Sequence, residues 1–341
     1  MMNFLIFLFF LLILNSLLIS LVIKGKLKNL KKVFQKKSSD FKMHNYLIYQ
    51  NAGAIVIFLF ISSSILLWYL FNDQLNITEN IPRDYIFFIS LIVLYFTSIY
   101  DFLFKIHPIN RLIIQLLIVY ISLSLINFPI LLLDFFPIKI QYLLVIIFWV
   151  YIMNITNFID GLDGMIGSTF ICIFITSIIY FVLNQIESVN IYISLLLLPL
   201  LISFIFFNKP RAKIFLNDSG SIPIGYIFGF FLLNILQSGS WIIFFSIFFY
   251  FIADVSLTLI IKVKNGNYPW ARMFDYFFLK PVLLGGKKHT YVLRFIIIYY
   301  LGMITLILIN NYFLLNEISI LIYSILFSVF LLMHFNKFKK N

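Results

Sequence analysis

Asn154-Ile-Thr-Asn157-Phe-Ile-Asp160-Gly161-Leu-Asp163-Gly164-Met-Ile-Gly167-Ser168 sets two carboxylates and three glycines between two strongly apolar runs, 141–158 and 165–184. Each run is close to the ~20 residues of helix that cross a hydrocarbon core of about 30 Å. A carboxylate at the centre of a membrane helix costs about 2.5–3.5 kcal/mol on the insertion scale, so acids kept beside such spans are functional candidates. At three-residue spacing Asp160 and Asp163 would share one helical face, and the glycines would let backbone approach a ligand. The plain alternative is a polar loop joining two helices, which would not need acids so regularly spaced with glycines.

The rest of the chain supports a membrane setting. Of its 341 residues 62% are hydrophobic, 20% aromatic and only 11% charged, with a mean hydropathy of +1.04. That excludes an ordinary soluble domain. The expected architecture is all-α, a single multi-pass transmembrane domain over residues 1–341. Aromatic stripes are read first as lipid-facing filler. The single cysteine, Cys172, lies in an apolar run and has no partner for an intrachain disulfide.

About eleven transmembrane helices are expected, near 3–23, 47–71, 85–101, 111–133, 141–158, 165–184, 190–207, 222–238, 240–262, 293–311 and 317–335. The first has its positive charges after the apolar run and no small-residue cleavage site, and reads as an uncleaved helix. An odd number of spans puts the termini on opposite sides. Of the 25 Lys and Arg residues, 23 fall in one set of loops, near 24–46, 101–111, 208–221, 262–294 and 336–341. Arg83 and Lys139 alone fall in the other. Positive charge stays inside, so the N-terminus is expected outside and the C-terminus in the cytoplasm. The net charge of +12 and the basic run from Lys24 to Lys37 then need no nucleic acid.

The same topology gathers Asp101, Asp160, Asp163, Asp218 and Asp254 near cytoplasmic helix ends. Asp73, Glu79, Asp84, Asp134, Glu187 and Glu317 fall outside, where a solvated surface explains them. Around Asp218, three basic residues (Lys209, Arg211, Lys213) precede Asp218-Ser-Gly-Ser221, a turn that opens an apolar helix. Such turns offer free N–H groups to phosphate oxygens, although Asp and Ser are also ordinary helix caps. Acids clustered beside basic residues make most sense if a divalent cation bridges them to a diphosphate. Mg²⁺ suits this, since it takes one or two carboxylates plus phosphate oxygens. His289, between Lys288 and the next helix, is read either as a phosphate or sugar contact or as part of a positively charged loop.

These residues resemble a known family, the polyprenyl-phosphate N-acetylhexosamine-1-phosphate transferases of glycosyltransferase family 4. Asn154-x-x-Asn157-Phe-x-Asp160-Gly-x-Asp163-Gly164 is similar to its Asn-x-x-Asn-x-x-Asp-Gly-x-Asp-Gly signature. Ala212-Lys-Ile-Phe-Leu-Asn-Asp218-Ser-Gly-Ser is similar to its Ala-Lys-x-Phe-x-Gly-Asp-Ser-Gly-Ser, with Asn217 where glycine is usual. Lys42-x-His44 followed by Ala52-Gly53 resembles its Arg-Lys-x-His…Pro-x-x-Gly-Gly stretch, and Asp254 with Thr258-Leu259 its Asp-x-x-x-Thr-Leu. Two departures stand out. The family's Asp-Asp pair falls on Asp101-Phe102, and its histidine-rich loop is reduced to His289.

The resemblance implies a Mg²⁺-dependent phosphotransferase of the cell inner (cytoplasmic) membrane. It would move an N-acetylhexosamine-1-phosphate from a UDP-sugar to polyprenyl (undecaprenyl) phosphate and start a lipid-linked surface glycan. It implies Asp218 as the Mg²⁺ ligand, and Asn157, Asp160 and Asp163 with Phe215 around the uridine nucleotide. Asp101 and His289 would join the catalytic residues, and Lys42 and Lys213 the substrate-binding ones. UDP-sugar, polyprenyl phosphate and membrane lipid are the expected partners, with a homodimer as the assembly and no nucleic acid. Two competitors remain. One is a phospho-MurNAc-pentapeptide transferase, against which the missing run of adjacent histidines counts. The other is a transporter without enzyme activity, whose charges should lie near the midplane. Reporters fused after Ser221 and Lys264 are expected to read cytoplasm and one after Asn80 the outside. A cytoplasmic signal after Asn80 would overturn this topology, because the candidate acids could then not share a membrane face.

Overall fold

The computed structural model describes residues 2–23, 49, 51–75, 81–126, 136–186, 189–268, 276–313 and 316–338. Thirteen α-helices are found among them. The first eight are α1 (Met2–Ile23), α2 (Ala52–Leu75), α3 (Ile81–Phe104), α4 (Pro108–Ile126), α5 (Ile138–Ile159), α6 (Met165–Leu183), α7 (Val189–Asn208) and α8 (Asp218–Gln237). The remainder are α9 (Trp241–Ser246), α10 (Phe249–Lys264), α11 (Lys280–Leu283), α12 (His289–Phe313) and α13 (Ile318–Asn336), with a 3₁₀ turn at Phe277–Leu279 before α11. Seven are long and apolar enough to cross a membrane. Helices satisfy every backbone group internally, which a bilayer demands.

The bundle is built around α8, which is almost wholly buried and packs against α5, α3 and α2. Gly225 and Gly229, four residues apart, let α5 come close. A side chain at Gly225 would meet Met153 Cα at 2.6 Å, and one at Gly229 would run into the Trp149 indole. This is the small-xxx-small contact of membrane helices, where close van der Waals approach replaces the hydrophobic drive that lipid removes. The indole Nε1 donates to the Tyr226 carbonyl at 2.9 Å and the ring stacks on Tyr226. Gly53 on α2 and Gly220 on α8 similarly meet backbone to backbone.

One expected span is not a single helix. The stretch 240–262 is broken into α9 and α10 at Ile247-Phe248. The carbonyls freed there are taken up from α12, by Tyr299 Oη on Ser246 O at 2.7 Å and Tyr300 Oη on Ile247 O at 3.0 Å. Unpartnered carbonyls in a bilayer would cost several kcal/mol, so the two tyrosines make the break tolerable.

Between α7 and α8 the chain runs extended and forms one isolated parallel bridge, Tyr49 with Ile214. Period-two alternation buries Ala212, Ile214 and Leu216 and leaves Lys213, Phe215 and Asn217 on the open face. Asn217 then opens α8 with φ 56° and ψ −177°. That is a region essentially reserved for glycine and costs another residue about 1–3 kcal/mol, which explains why glycine is usual at this place in the motif. Asn217→Gly is expected to raise stability by about 1 kcal/mol after allowing for glycine's greater unfolded-state freedom, read as a higher thermal midpoint in detergent. A lower midpoint would show that the Asn217 side chain contributes more than its backbone strain costs.

Candidate functional site

Four of the five acids grouped from sequence, Asp101, Asp160, Asp163 and Asp218, come together around the segment 211–218. Asp160 and Asp163 do not share a helical face. They lie on a turn between α5 and α6 because Gly164, at φ 75°, takes a left-handed conformation that ends any continuous helix. The turn aims both carboxylates at the extended segment. Asp160 Oδ2 accepts the N–H of Asn217 at 2.7 Å, and Asp163 Oδ2 accepts those of Arg211 at 3.0 Å and Ala212 at 3.2 Å. Asn208, at the end of α7, closes the arrangement by accepting the Gly164 N–H at 2.9 Å and donating to the Ile214 carbonyl at 2.7 Å.

Two further helices complete the cluster. At the end of α3, Asp101 Oδ1 accepts the Ile106 N–H at 2.7 Å. Arg111, in the first turn of α4, places Nη1 2.7 Å from Asp218 Oδ2 and 3.3 Å from Asp101 Oδ2. Asn157 Oδ1 accepts from Ser221 Oγ at 3.0 Å, linking the end of α5 to the first turn of α8. One turn deeper, Asn154 Nδ2 donates to Gln115 Oε1 at 2.8 Å. From the start of α12, His289 Nδ1 accepts the Asp163 N–H at 3.1 Å and lies 3.6 Å from Asp163 Oδ2.

Asp101, Asn157, Asp160, Asp163, Asp218 and His289 are thus brought together, with Lys213 and Phe215 on the open face of the segment beside them. Asp254 is engaged elsewhere. It accepts from the N–H groups of Phe277 and Phe278, both at 2.9 Å, from Tyr250 Oη at 3.0 Å and from Thr258 Oγ1 at 3.3 Å, fastening the 3₁₀ turn to α10. Lys42, His44, Arg272 and the basic run from Lys24 to Lys37 lie outside the described residues. Arg111, Asn208 and Gln115 are polar residues to which the sequence reading gave no role in the site. Pro108, Arg111 and Gln115 served there only to align the Asp-Asp pair with Asp101-Phe102, although the place of Arg111 at the start of a span was a usable signal.

Could this set hold a magnesium ion? Among the described residues no three His, Cys, Asp or Glu side chains form a group that would hold a metal alone. That donor set fits Mg²⁺, which takes few carboxylates from protein and the rest of its oxygens from phosphates and water. Asp101 and Asp218 already converge on one cationic nitrogen, and Asp160 Oδ1 is buried without a hydrogen-bond partner.

Burial is the largest influence on the Asp160 carboxyl. The Asn217 N–H opposes it, the Asp218 charge reinforces it, and the Leu216 N–H also opposes it, leaving the pKa at about 8. Below that pH the carboxyl is neutral and above it ionised. The unliganded protein is therefore expected to show a protonated-carboxyl C=O band in the infrared at neutral pH. The band should fade as pH rises through about 8 and be missing in Asp160→Asn. Its absence from the wild type at neutral pH would mean that water reaches this carboxylate.

Comparison with known proteins follows the same residues. The profile of the family described as Glycosyl transferase family 4 matches residues 85–236, from α3 to α8. Phospho-N-acetylmuramoyl-pentapeptide-transferase of Staphylococcus saprophyticus is 31% identical over 155 residues, 45% of each chain. The protein of that name from Kosmotoga olearia is 34% identical over 160 residues, 45% of this chain and 47% of its own. The one from Nautilia profundicola is 28% identical over 173 residues, 44% and 47%. The chain spans about half the length of the curated relatives it matches. Residues 85–236, which hold Asp101, Arg111, the Asn154–Gly164 signature and Asp218, are thus similar to glycosyl transferase family 4.

Proposed function

We propose that this protein transfers a sugar-1-phosphate, with N-acetylhexosamine as the sugar, from a UDP-sugar to polyprenyl phosphate at the cytoplasmic face of the inner membrane. The observation that carries the reading is the convergence of Asp101, Asp160, Asp163 and Asp218 on Arg111 and the 211–217 backbone. Together with the family match, it makes a compact, partly water-excluded site at one end of the bundle.

In the proposed reaction an oxygen of the lipid phosphate attacks the sugar-bearing phosphorus of the UDP-sugar. A new P–O bond forms, the bond to the bridging oxygen breaks, and UMP leaves with the electron pair. The lipid phosphate is its own nucleophile. With a second pKa near 6 it is mostly ionised at neutral pH, so neither an enzyme nucleophile nor a strong general base is required. Catalysis then reduces to positioning and charge neutralisation. Asp218, with Asp101, would hold a Mg²⁺ ion, which would supply positive charge to the diphosphate. Asn157 and Phe215 would orient the uridine, and Lys213 on the open face would attract phosphate. Asp160 and Asp163 would act by holding the 211–217 backbone, on which Phe215 and Lys213 are mounted.

The names of the curated relatives favour a second reading, in which the donor is UDP-MurNAc-pentapeptide. The two readings are separated by purified protein incubated with Mg²⁺, polyprenyl phosphate and a radiolabelled panel of UDP-sugars that includes this donor. Label should enter the lipid phase with a UDP-N-acetylhexosamine. Asp218→Asn should lower transfer about 100-fold or more, the scale on which loss of one preorganised electrostatic stabiliser is felt, with helical content and thermal midpoint retained. Absence of lipid label with every donor would overturn the proposal, and near-normal turnover in Asp218→Asn would remove that residue from the site.

A further inference from the structure

Arg111 serves two acids through one nitrogen. Nη1 is its only hydrogen-bonding nitrogen among the described residues, while a guanidinium carries five N–H donors in a fixed fork. Nε and Nη2 have no partner among the described residues, and the side chain is 27% exposed at the open end of the site. Next to Asp101 stands Phe102 in place of a second acid, so the guanidinium faces two carboxylates, the number a magnesium ion takes from protein. A third carboxylate oxygen, Asp160 Oδ1, is buried at the same site without a hydrogen-bond partner.

The charges make this arrangement unfit for its anionic substrates as it stands. With both acids ionised, Asp101, Asp218 and Arg111 would together carry one net negative charge, which would repel a diphosphate. A divalent cation added to the two carboxylates would turn the same group net positive by one. A cation that takes the two Oδ2 oxygens already brought together displaces Arg111 from them, and a displaced guanidinium needs a new acceptor. Phosphate oxygens are the best match for its planar fork.

We propose that Arg111 is a built-in cation switch. It clamps Asp101 and Asp218 in the unliganded site, yields them to a divalent cation, and turns its guanidinium to the diphosphate that arrives with that cation. This rests on the transferase reading for the nature of the anion, and it adds a phosphate-binding residue and an energetic link between the ligands. Because the cation releases Arg111 and the diphosphate receives it, each ligand makes the other bind more tightly, by equal factors. The bare cation, which must displace Arg111 with nothing to receive it, binds weakly.

The test uses Mn²⁺ alone and UDP as probes on the purified full-length protein, with bound Mn²⁺ read by electron paramagnetic resonance. Arg111→Met should bind Mn²⁺ alone about five- to tenfold more tightly than the wild type, and UDP should tighten Mn²⁺ less in the variant than in the wild type. Unchanged or weaker Mn²⁺ binding by folded Arg111→Met would overturn the switch. Should that variant fail to fold, the wild type gives an independent readout. Modification of Arg111 by phenylglyoxal, followed by peptide mass spectrometry, should quicken with Mn²⁺ and slow again when UDP joins it. A rate indifferent to Mn²⁺ would equally overturn the proposal. Neither readout depends on sugar transfer. A protein that switches but never labels lipid loses the transferase reading alone, and one that labels lipid without switching loses only this inference.

Discussion

A non-helical stretch of backbone can sit inside a membrane bundle only if the protein supplies the hydrogen bonds that helices and water would otherwise give it. The segment 211–217 is held that way by carboxylates. Asp163 takes the N–H groups of Arg211 and Ala212, Asp160 takes that of Asn217, and Asn208 donates to the Ile214 carbonyl. On its other side the Phe215 N–H donates to the Tyr49 carbonyl and the Phe215 carbonyl accepts from Ala52. Removing either acid would strand buried donors, at about 1–3 kcal/mol each. The turn, the segment and the start of α8 therefore stand or fall together.

The same contacts set the electrostatics. A hydrogen-bonded carboxylate ordinarily stays ionised, yet Asp160 is so far from water that burial outweighs its two backbone donors. Its neighbour Asp218 sits within reach of Arg111 and keeps part of its side chain open. The Asp160 carboxyl, neutral at neutral pH, thus adjoins the point where Asp101, Asp218 and Arg111 meet.

Much of this was legible in the chain. Apolar length gave helices on the expected stretches, and acids in an apolar chain were conspicuous enough to mark Asp160, Asp163, Asp101 and Asp218. What Asp160, Asp163 and Asp218 touch was not legible, since the donors they accept from in Asn217, Arg211 and Arg111 lie 48 to 107 residues away and local pattern carries no such information. The break at Ile247-Phe248 was hidden for the same reason, because what makes it tolerable is a pair of tyrosines 53 residues further on. Asp254 misled in the opposite direction. It carries a motif-like neighbourhood, and its four donors show an acid serving packing. Arg111 marked the register of the Asp-Asp pair in the sequence, but its charge was accounted for by positive-inside bias and its contact with both acids was not legible.

The position of the cluster along the bundle has its own logic. A water-soluble nucleotide and a lipid-borne phosphate meet only at the plane where spans end, and the cluster is assembled from span ends. Four of them are helix N-termini, those of α4, α6, α8 and α12, and three are C-termini, those of α3, α5 and α7. The N-termini turn unpaired N–H groups and partial positive charge toward the site, which favours anions. The three C-termini bring partial negative charge, and with four carboxylates added the whole would repel a phosphate. Most of that charge is already answered. Asp160 and Asp163 are turned into backbone contacts, with Asp160 protonated at neutral pH, and Asp101 and Asp218 are drawn onto Arg111. What is left facing the open end is Arg111, two acids that share it, and a face carrying Lys213 and Phe215. On the reading proposed for this protein, that set can take in a metal–diphosphate pair without a second acid at position 102.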